Sequence, residues 1–432
     1  MNYRMRITAS PAEFDAHAWD ALLALQPRPT PFLKHAFLAA LTSTGCVTEE
    51  TGWAPRFLSL WLDESDTGAH DGAEVGPEVG PGIGAEVDNV ASDAASDEGD
   101  TVTLVHVSPL ASERLVAALP LYAKSHSYGE YVFDWAWANA YEQNGLKYYP
   151  KLLCAVPFTP VTGARLLAVD DRARAALVQM LLAFAEQSEV SSLHVLYPTE
   201  HEANQLADAG MMERSGVQFH WLNAGYPDFD TFLATLEQKK RKNIRAERRR
   251  VRDAGVTFRR IKGTDASPED WRFFTRCYRQ TYKEHHSSPY LNLAFFETIG
   301  ATMPENLLLV IAEIEGRQIA SSLLVYQREP NGGTLYGRYW GAIETVDCLH
   351  FETAYYQPLE FCIDEKIQVF EGGAQGEHKM ARGFLPTVTR SAHWLAHPAF
   401  ADAVAQFLER ETAGIGNYVD ELREHNPFKE QH

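Results

Sequence analysis

Glu371-Gly-Gly-Ala-Gln-Gly-Glu-His-Lys-Met-Ala-Arg-Gly383 follows the apolar run Ile367-Gln-Val-Phe370. The run reads as a buried strand, and the segment after it mixes four glycines with carboxylates, an amide, an imidazole, an ammonium and a guanidinium. Glycine lets the backbone turn sharply and approach a ligand closely. Charges at a strand end are costly to bury unless they pair or meet a ligand. A strand that exits into such a segment is the pattern of an α/β pocket, with Gln375, Glu377, His378, Lys379 and Arg382 as its candidate lining. The alternative is a salt-bridged turn.

Outward from that strand, the second half alternates helix and strand. A long helix is expected over Asp230–Asp253, with Asp230 as N-cap and Gly255 at its end. A strand follows over 256–261, then helices over 268–284 and 293–301. Three strands come next, over 307–314, 318–326 and 334–341. Residues 350–366 read as a helix that Pro358 starts or kinks, and Pro398 opens a final helix with Phe400, Val404, Phe407 and Leu408 on one face. The first half has a similar order: strands over 55–62, 101–107 and 115–122, a helix over 172–188, a strand over 193–197, a short helix over 202–209 and a strand over 219–222. The reading is a duplicated α/β unit with mixed sheets, divided into 1–224 and 225–432.

Length agrees with two cores, since 432 residues exceed what one ordinary core holds. The net charge of −19 is local: residues 63–100 hold twelve acids and no Lys or Arg, so the remainder carries −7. That stretch is too poor in large apolar groups to offset its ordering entropy and reads as a disordered insertion at a hairpin tip. No apolar run has membrane-helix length, and the N-terminus lacks the apolar stretch of a signal peptide. Five scattered cysteines without a CxxC fit reduced thiols, so a cytoplasmic location is expected.

Three constellations could carry chemistry. Lys239–Arg252 holds nine basic residues against Glu247 alone. It reads either as a phosphate-binding face through Lys239, Arg241, Lys242 and Arg245, or as a solvated helix face. No helix-turn-helix or finger pattern surrounds it, so a DNA reader is not expected. Residues 122–163 crowd aromatics beside charges, with Asp134, Trp135, Trp137, Lys147, Tyr148 and Lys151 suited to a polar ligand or to a domain-interface core. In the strand over 334–341, alternation places Tyr336, Arg338 and Trp340 on one face, with a bulge bracketed by Gly337 and Gly341. His350 and Glu352 then sit where a helix begins, a place that receives anions. No HExxH spacing, Walker loop, GxSxG elbow or Rossmann glycine motif occurs, and no metal is expected.

The order of these blocks resembles a FemAB-like bacterial family of peptidoglycan biosynthesis or recognition proteins in the GNAT acyltransferase superfamily. The resemblance rests on Lys124–Trp137, Tyr148–Lys151, Pro157–Gly163, Arg241–Arg245, Leu335–Gly341, His350–Glu352 and Gly373–Lys379. It implies two tandem GNAT-like domains and an N-acyl or aminoacyl transfer to an amine, such as a peptidoglycan precursor. The implied co-substrate is acyl-CoA or aminoacyl-tRNA, none tightly bound, with tRNA meeting the basic helix. The acyl-CoA pyrophosphate signature is missing between Tyr339 and Glu352. That departure keeps a second expectation open: a non-catalytic binding protein for a cell-wall precursor or a protein partner. For a transferase, Glu377 or His378 is the expected base, with Tyr339 and Arg338 orienting the acyl group.

Overall fold

In a computed structural model the chain is described over residues 3–63, 113–330, 332–373 and 377–429. The expected strand over 101–107, most of the acidic insertion and Gln375 lie outside the described residues. The first half comprises β1 (Tyr3–Thr8), α1 (Ala16–Ala24), α2 (His35–Ser43), β2 (Trp53–Pro55), β3 (Phe57–Asp63), β4 (Glu113–Leu119), β5 (Leu121–Lys124), α3 (Trp135–Gln143), β6 (Lys151–Cys154), β7 (Leu167–Ala168), α4 (Asp171–Gln187), β8 (Ser192–Leu196), α5 (Glu200–Asp208) and β9 (Met212–Leu222). The second comprises α6 (Phe229–Thr235), α7 (Gln238–Asp253), β10 (Val256–Lys262), α8 (Pro268–Glu284), α9 (Leu293–Thr302), β11 (Leu307–Ile314), β12 (Arg317–Gln327), β13 (Thr334–Ala342), α10 (Leu349–Phe351), α11 (Gln357–Asp364), β14 (Val369–Glu371), β15 (Leu385–Leu395) and α12 (Pro398–Glu424). Among the described residues no helix is long and apolar enough to cross a membrane.

Local chemistry starts the helices where side chains can accept the first amide protons. Asp170 caps α4, Thr199 and Glu202 form a capping box on α5, and Ser267 and Asp270 do the same on α8 with Pro268 inside its first turn. The single helix expected over Asp230–Asp253 is instead two. Asp228, not Asp230, caps α6, and the chain leaves the helix at Leu236. Leu236 is fully buried and bridges to Phe428, so tertiary burial breaks the helix where propensity would continue it. Between α10 and α11 the chain makes a π-helical turn over Glu352–Tyr356.

Eleven strands form one sheet, in the order β10-β11-β12-β13-β14-β9-β15-β8-β6-β5-β2. At its centre β9 and β15 pair antiparallel from Met212↔His393 to His220↔Leu385. The far end of β9 pairs with β14 (His220↔Glu371), and the far end of β15 pairs with β8 (His393↔His194). Each flank then holds a parallel pair, β13–β14 through Tyr336↔Glu371 and β6–β8 through Leu153↔His194. A half-turn that exchanges β9 with β15 therefore brings Glu371 onto His194, His220 onto His393 and Gln218 onto Ser391. The second half returns a strand, β15, into the first.

The bulge in β13 is present and changes the faces. Leu323 pairs with Tyr339 and Leu324 with Gly337, which leaves Arg338 as the extra residue. Tyr336 and Tyr339 consequently share one face, whereas Trp340 lies on the other with Leu335. The expected common face of Tyr336, Arg338 and Trp340 assumed an unbroken alternation and is corrected here.

Candidate functional site

β13 and β14 stay paired for three residues and then part after Tyr336 and Glu371. Beyond that point the chain remains bonded to β9, with the Gly372 amide donating to the Phe219 carbonyl at 2.9 Å and the Phe219 amide donating to the Gly373 carbonyl at 3.2 Å. Glu371 thus stands at the fork. Its side chain is 2% exposed and one carboxylate oxygen accepts from Arg28, itself 38% exposed on the loop after α1. The other oxygen, Oε2, has no hydrogen-bond partner among the described residues and lies 3.8 Å from His220 Nε2. Burial raises the carboxyl to about 7 despite Arg28, Arg338 and Arg165. Burial, with Arg28 and Lys379, lowers His220 to about 3, so its ring is neutral.

Where the chain leaves β14, a second group assembles against α7, α10 and the π-helical turn. Lys379 donates to the Gly373 carbonyl at 3.1 Å, and burial lowers its ammonium to about 8. Arg382 donates to the His378 carbonyl at 2.6 Å and to Glu247 at 2.8 Å, with its guanidinium 3.5 Å above the Phe351 ring. Tyr355 lies 3.4 Å from His378 Nε2. His350 packs on Trp340 with ring centroids 4.8 Å apart, and burial with His378, Arg382 and Lys379 lowers it to about 4. His378 is exposed and lowered by partial burial and by Arg382. Glu352 is buried and receives Arg248 at 2.9 Å. The backbone of Glu377 lies in the short helical turn over 377–382.

The aromatic block of the first half gathers round the other parallel pair. Lys151, fully buried, donates to Ser127 at 2.9 Å, to Glu130 at 2.7 Å and to Asp134. Tyr148 donates to Asp134 at 2.6 Å and meets His194 Nε2 at 3.1 Å. The His194 and His393 Nδ1 atoms are 2.7 Å apart, and Ser391 meets His393 Nε2 at 2.9 Å. Trp137 packs edge-on against His393. Burial opposes ionisation of Asp134, but Lys151 and His194 outweigh it and hold the carboxyl below its usual range. Lys124 is fully buried with its ammonium 3.7 Å over the Trp53 ring, and burial lowers it to about 7.

The structure therefore sorts the sequence candidates into three places. Asp134, Trp137, Tyr148 and Lys151 meet in the first half, while Trp135 packs on Tyr128 and Lys147 is exposed nearby. Tyr336, Arg338 and Tyr339 stand at the fork, where Arg338 and Tyr339 both donate to the Phe158 carbonyl of the first half. Trp340, His350, Glu352, His378, Lys379 and Arg382 gather beyond it. Of the cationic candidates on α7, Arg245 pairs with Asp230 at 3.0 Å and lines a groove of about 810 Å³ between α6, α7 and α11. Lys239 and Lys242 are exposed, and Arg241 donates to the Ala234 carbonyl. Arg28, His220, His194 and His393 escaped the sequence reading. The histidines alternate with apolar residues in strands, and only the strand register reveals that His194 meets His393 and that His220 meets Glu371.

A family model described as FemAB-like, peptidoglycan biosynthesis/recognition, matches residues 10–71 and 92–430. No curated protein matches the chain. Among solved structures the chain is similar to FemX, with TM-score 0.50, 11% identity and 93% of this chain and 99% of that one covered. It is also similar to a tandem GNAT protein from the clavulanic acid biosynthesis pathway (TM-score 0.43, 11% identity, 92% and 99% covered). A third similar structure is L-PGS from Bacillus licheniformis (TM-score 0.43, 11% identity, 68% and 86% covered). The FemX likeness, together with two parallel strand pairs related by a half-turn, makes the fold mixed α/β with two GNAT-like units in tandem. By the span of the family match, the chain belongs to the FemAB-like family of peptidoglycan biosynthesis and recognition proteins.

Proposed function

We propose that the protein transfers an activated acyl or aminoacyl group to an amine, with a peptidoglycan precursor as the acceptor class. The observation that carries this reading is the fork in β13 and β14, with imidazole and cationic groups gathered where β14 ends. Amide formation needs a group that takes a proton from the ammonium, and donors that meet the oxyanion developing on the acyl carbonyl. The candidate proton acceptors stand along the end of β14: His378, whose lowered pKa favours the neutral ring, and Glu377 before it in the chain. Lys379 and Arg382 supply positive charge. Tyr339 and Arg338, both held on the Phe158 carbonyl, orient the acyl group. The exposed face of α7, with Lys239, Arg241, Lys242 and Arg245, takes the phosphates of an acyl-CoA or aminoacyl-tRNA donor.

The test incubates purified protein with labelled acetyl-CoA or alanyl-tRNA and a lysine-containing muropeptide. Label in a new amide is expected. Absence of transfer from every donor, with muropeptide binding retained, would replace this reading by non-catalytic recognition.

A further inference from the structure

Glu371 is a buried carboxylate whose counter-ion comes from the surface. Arg28 reaches it from the other half of the chain and holds one oxygen. Oε2 has no hydrogen-bond partner among the described residues, and a buried acceptor left unsatisfied is destabilising. The groups that face it are Arg28, His220 on β9, Tyr336 and Arg338 on β13, and Arg165 after β6. His220 cannot neutralise it, because its own ring is held neutral. Arg165 spends its guanidinium on the carbonyls of Val161, Gly163, Ala164 and Leu196. A small ammonium would supply the missing donor and, in place of Arg28, the counter-charge.

The face of the sheet that carries Glu371 runs on along β9. Gln218 and His220 alternate along β9, so they share the face of Glu371. Gln218 Oε1 lies 3.4 Å from His220 Nε2 and Gln218 lines a cavity of about 210 Å³ with Tyr131, Tyr197, Arg214 and Ser391.

We propose that Glu371 seats the acceptor's ammonium group, displacing Arg28, and takes its first proton. The inference rests on the transferase reading given above and assigns its proton acceptor. The Glu371 carboxylate removes one proton from R–NH3+. The amine then attacks the carbonyl carbon of an acyl thioester or ester, so that the C–N bond forms and the C–S or C–O bond breaks. The leaving group departs with the nitrogen's second proton, and Glu371 returns its own to solvent. A carboxyl raised to about 7 is matched to that exchange at neutral pH.

The test compares wild type, Glu371→Gln, the charge-balanced pair Arg28→Gln with Glu371→Gln, and His378→Ala. Each is checked by circular dichroism before assay, and the balanced pair covers failure of the single variant to fold. Transfer from acetyl-CoA or alanyl-tRNA to the muropeptide is followed from pH 5.5 to 8.5. Expected is a wild-type kcat that rises through about pH 7, a loss of roughly 100-fold or more in both Glu371 variants, and an unchanged donor KM. Folded Glu371 variants within threefold of wild type overturn the proposal. Should wild type transfer nothing, the transferase reading fails and n-butylammonium chloride decides the seat by thermal shift against n-butanol. Protection of wild type but not of Glu371→Gln supports the ammonium seat. An equal response in both proteins overturns it.

Discussion

Beside the β6–β8 pair the charges answer one another from within. Lys151 is fully buried between Glu130 and Asp134, and the line continues through Tyr148 and His194 to His393. At the β13–β14 fork the same position of the sheet carries Glu371 against His220, and the only arginine bonded to it among the described residues comes from a half-exposed loop. Asp134 is held below its usual range, whereas Glu371 is pushed above it. One geometry thus serves two ends. A buried ammonium neutralises the first pair from within, whereas the second draws its cation from the surface and leaves Oε2 without a hydrogen-bond partner among the described residues.

Breaking the locked side should have the largest effect. Lys151→Met leaves Asp134 and Glu130 buried without their cation, and a loss of about 3–5 kcal/mol is expected in urea unfolding. The open side should respond with the opposite sign. A carboxyl raised in the folded state contributes stability that is present below its ordinary 4.5 and lost as pH rises through about 7. Glu371→Gln should therefore match wild type near pH 4 and exceed it by roughly 3 kcal/mol at pH 8, read from unfolding at both values. Asp134→Asn should do the reverse. Its deficit is present at pH 7 and shrinks as pH falls through the depressed carboxyl, because a lowered pKa stabilises only above it.

A smaller effect would sharpen the match between the halves. His393→Ala leaves the His194 and Ser391 contacts unmade and should cost about 1–3 kcal/mol. Smallest of all, Lys239→Ala with Lys242→Ala should move stability by no more than about 0.5 kcal/mol. The same pair should weaken retention of tRNA on the protein and flatten its salt dependence, as measured by filter binding at several ionic strengths.

The sequence made some of this legible for identifiable reasons. Strand-ending glycines located the β14 exit, and the helices expected over 268–284 and 293–301 fall on α8 and α9. β15 was not legible, because Pro386 interrupts its pattern and its residues Thr387, Thr389, Ser391 and His393 put polar groups on a buried face. Glu371 stood in plain view within the opening segment. Its importance comes from Arg28 and His220, which lie far from it in sequence, and no local pattern joins the three.

The exchange at the centre of the sheet also sets an order for synthesis. β8 lacks its outer neighbour until β15 arrives, and β15 begins at Leu385, long after β9 has ended at Leu222. A ribosome that has released the whole first half has released a sheet with an exposed edge, the kind of edge that invites pairing with other chains. The nascent chain must hold that edge open for its own last strand, so a stop codon before residue 385 would damage the half of the protein already made.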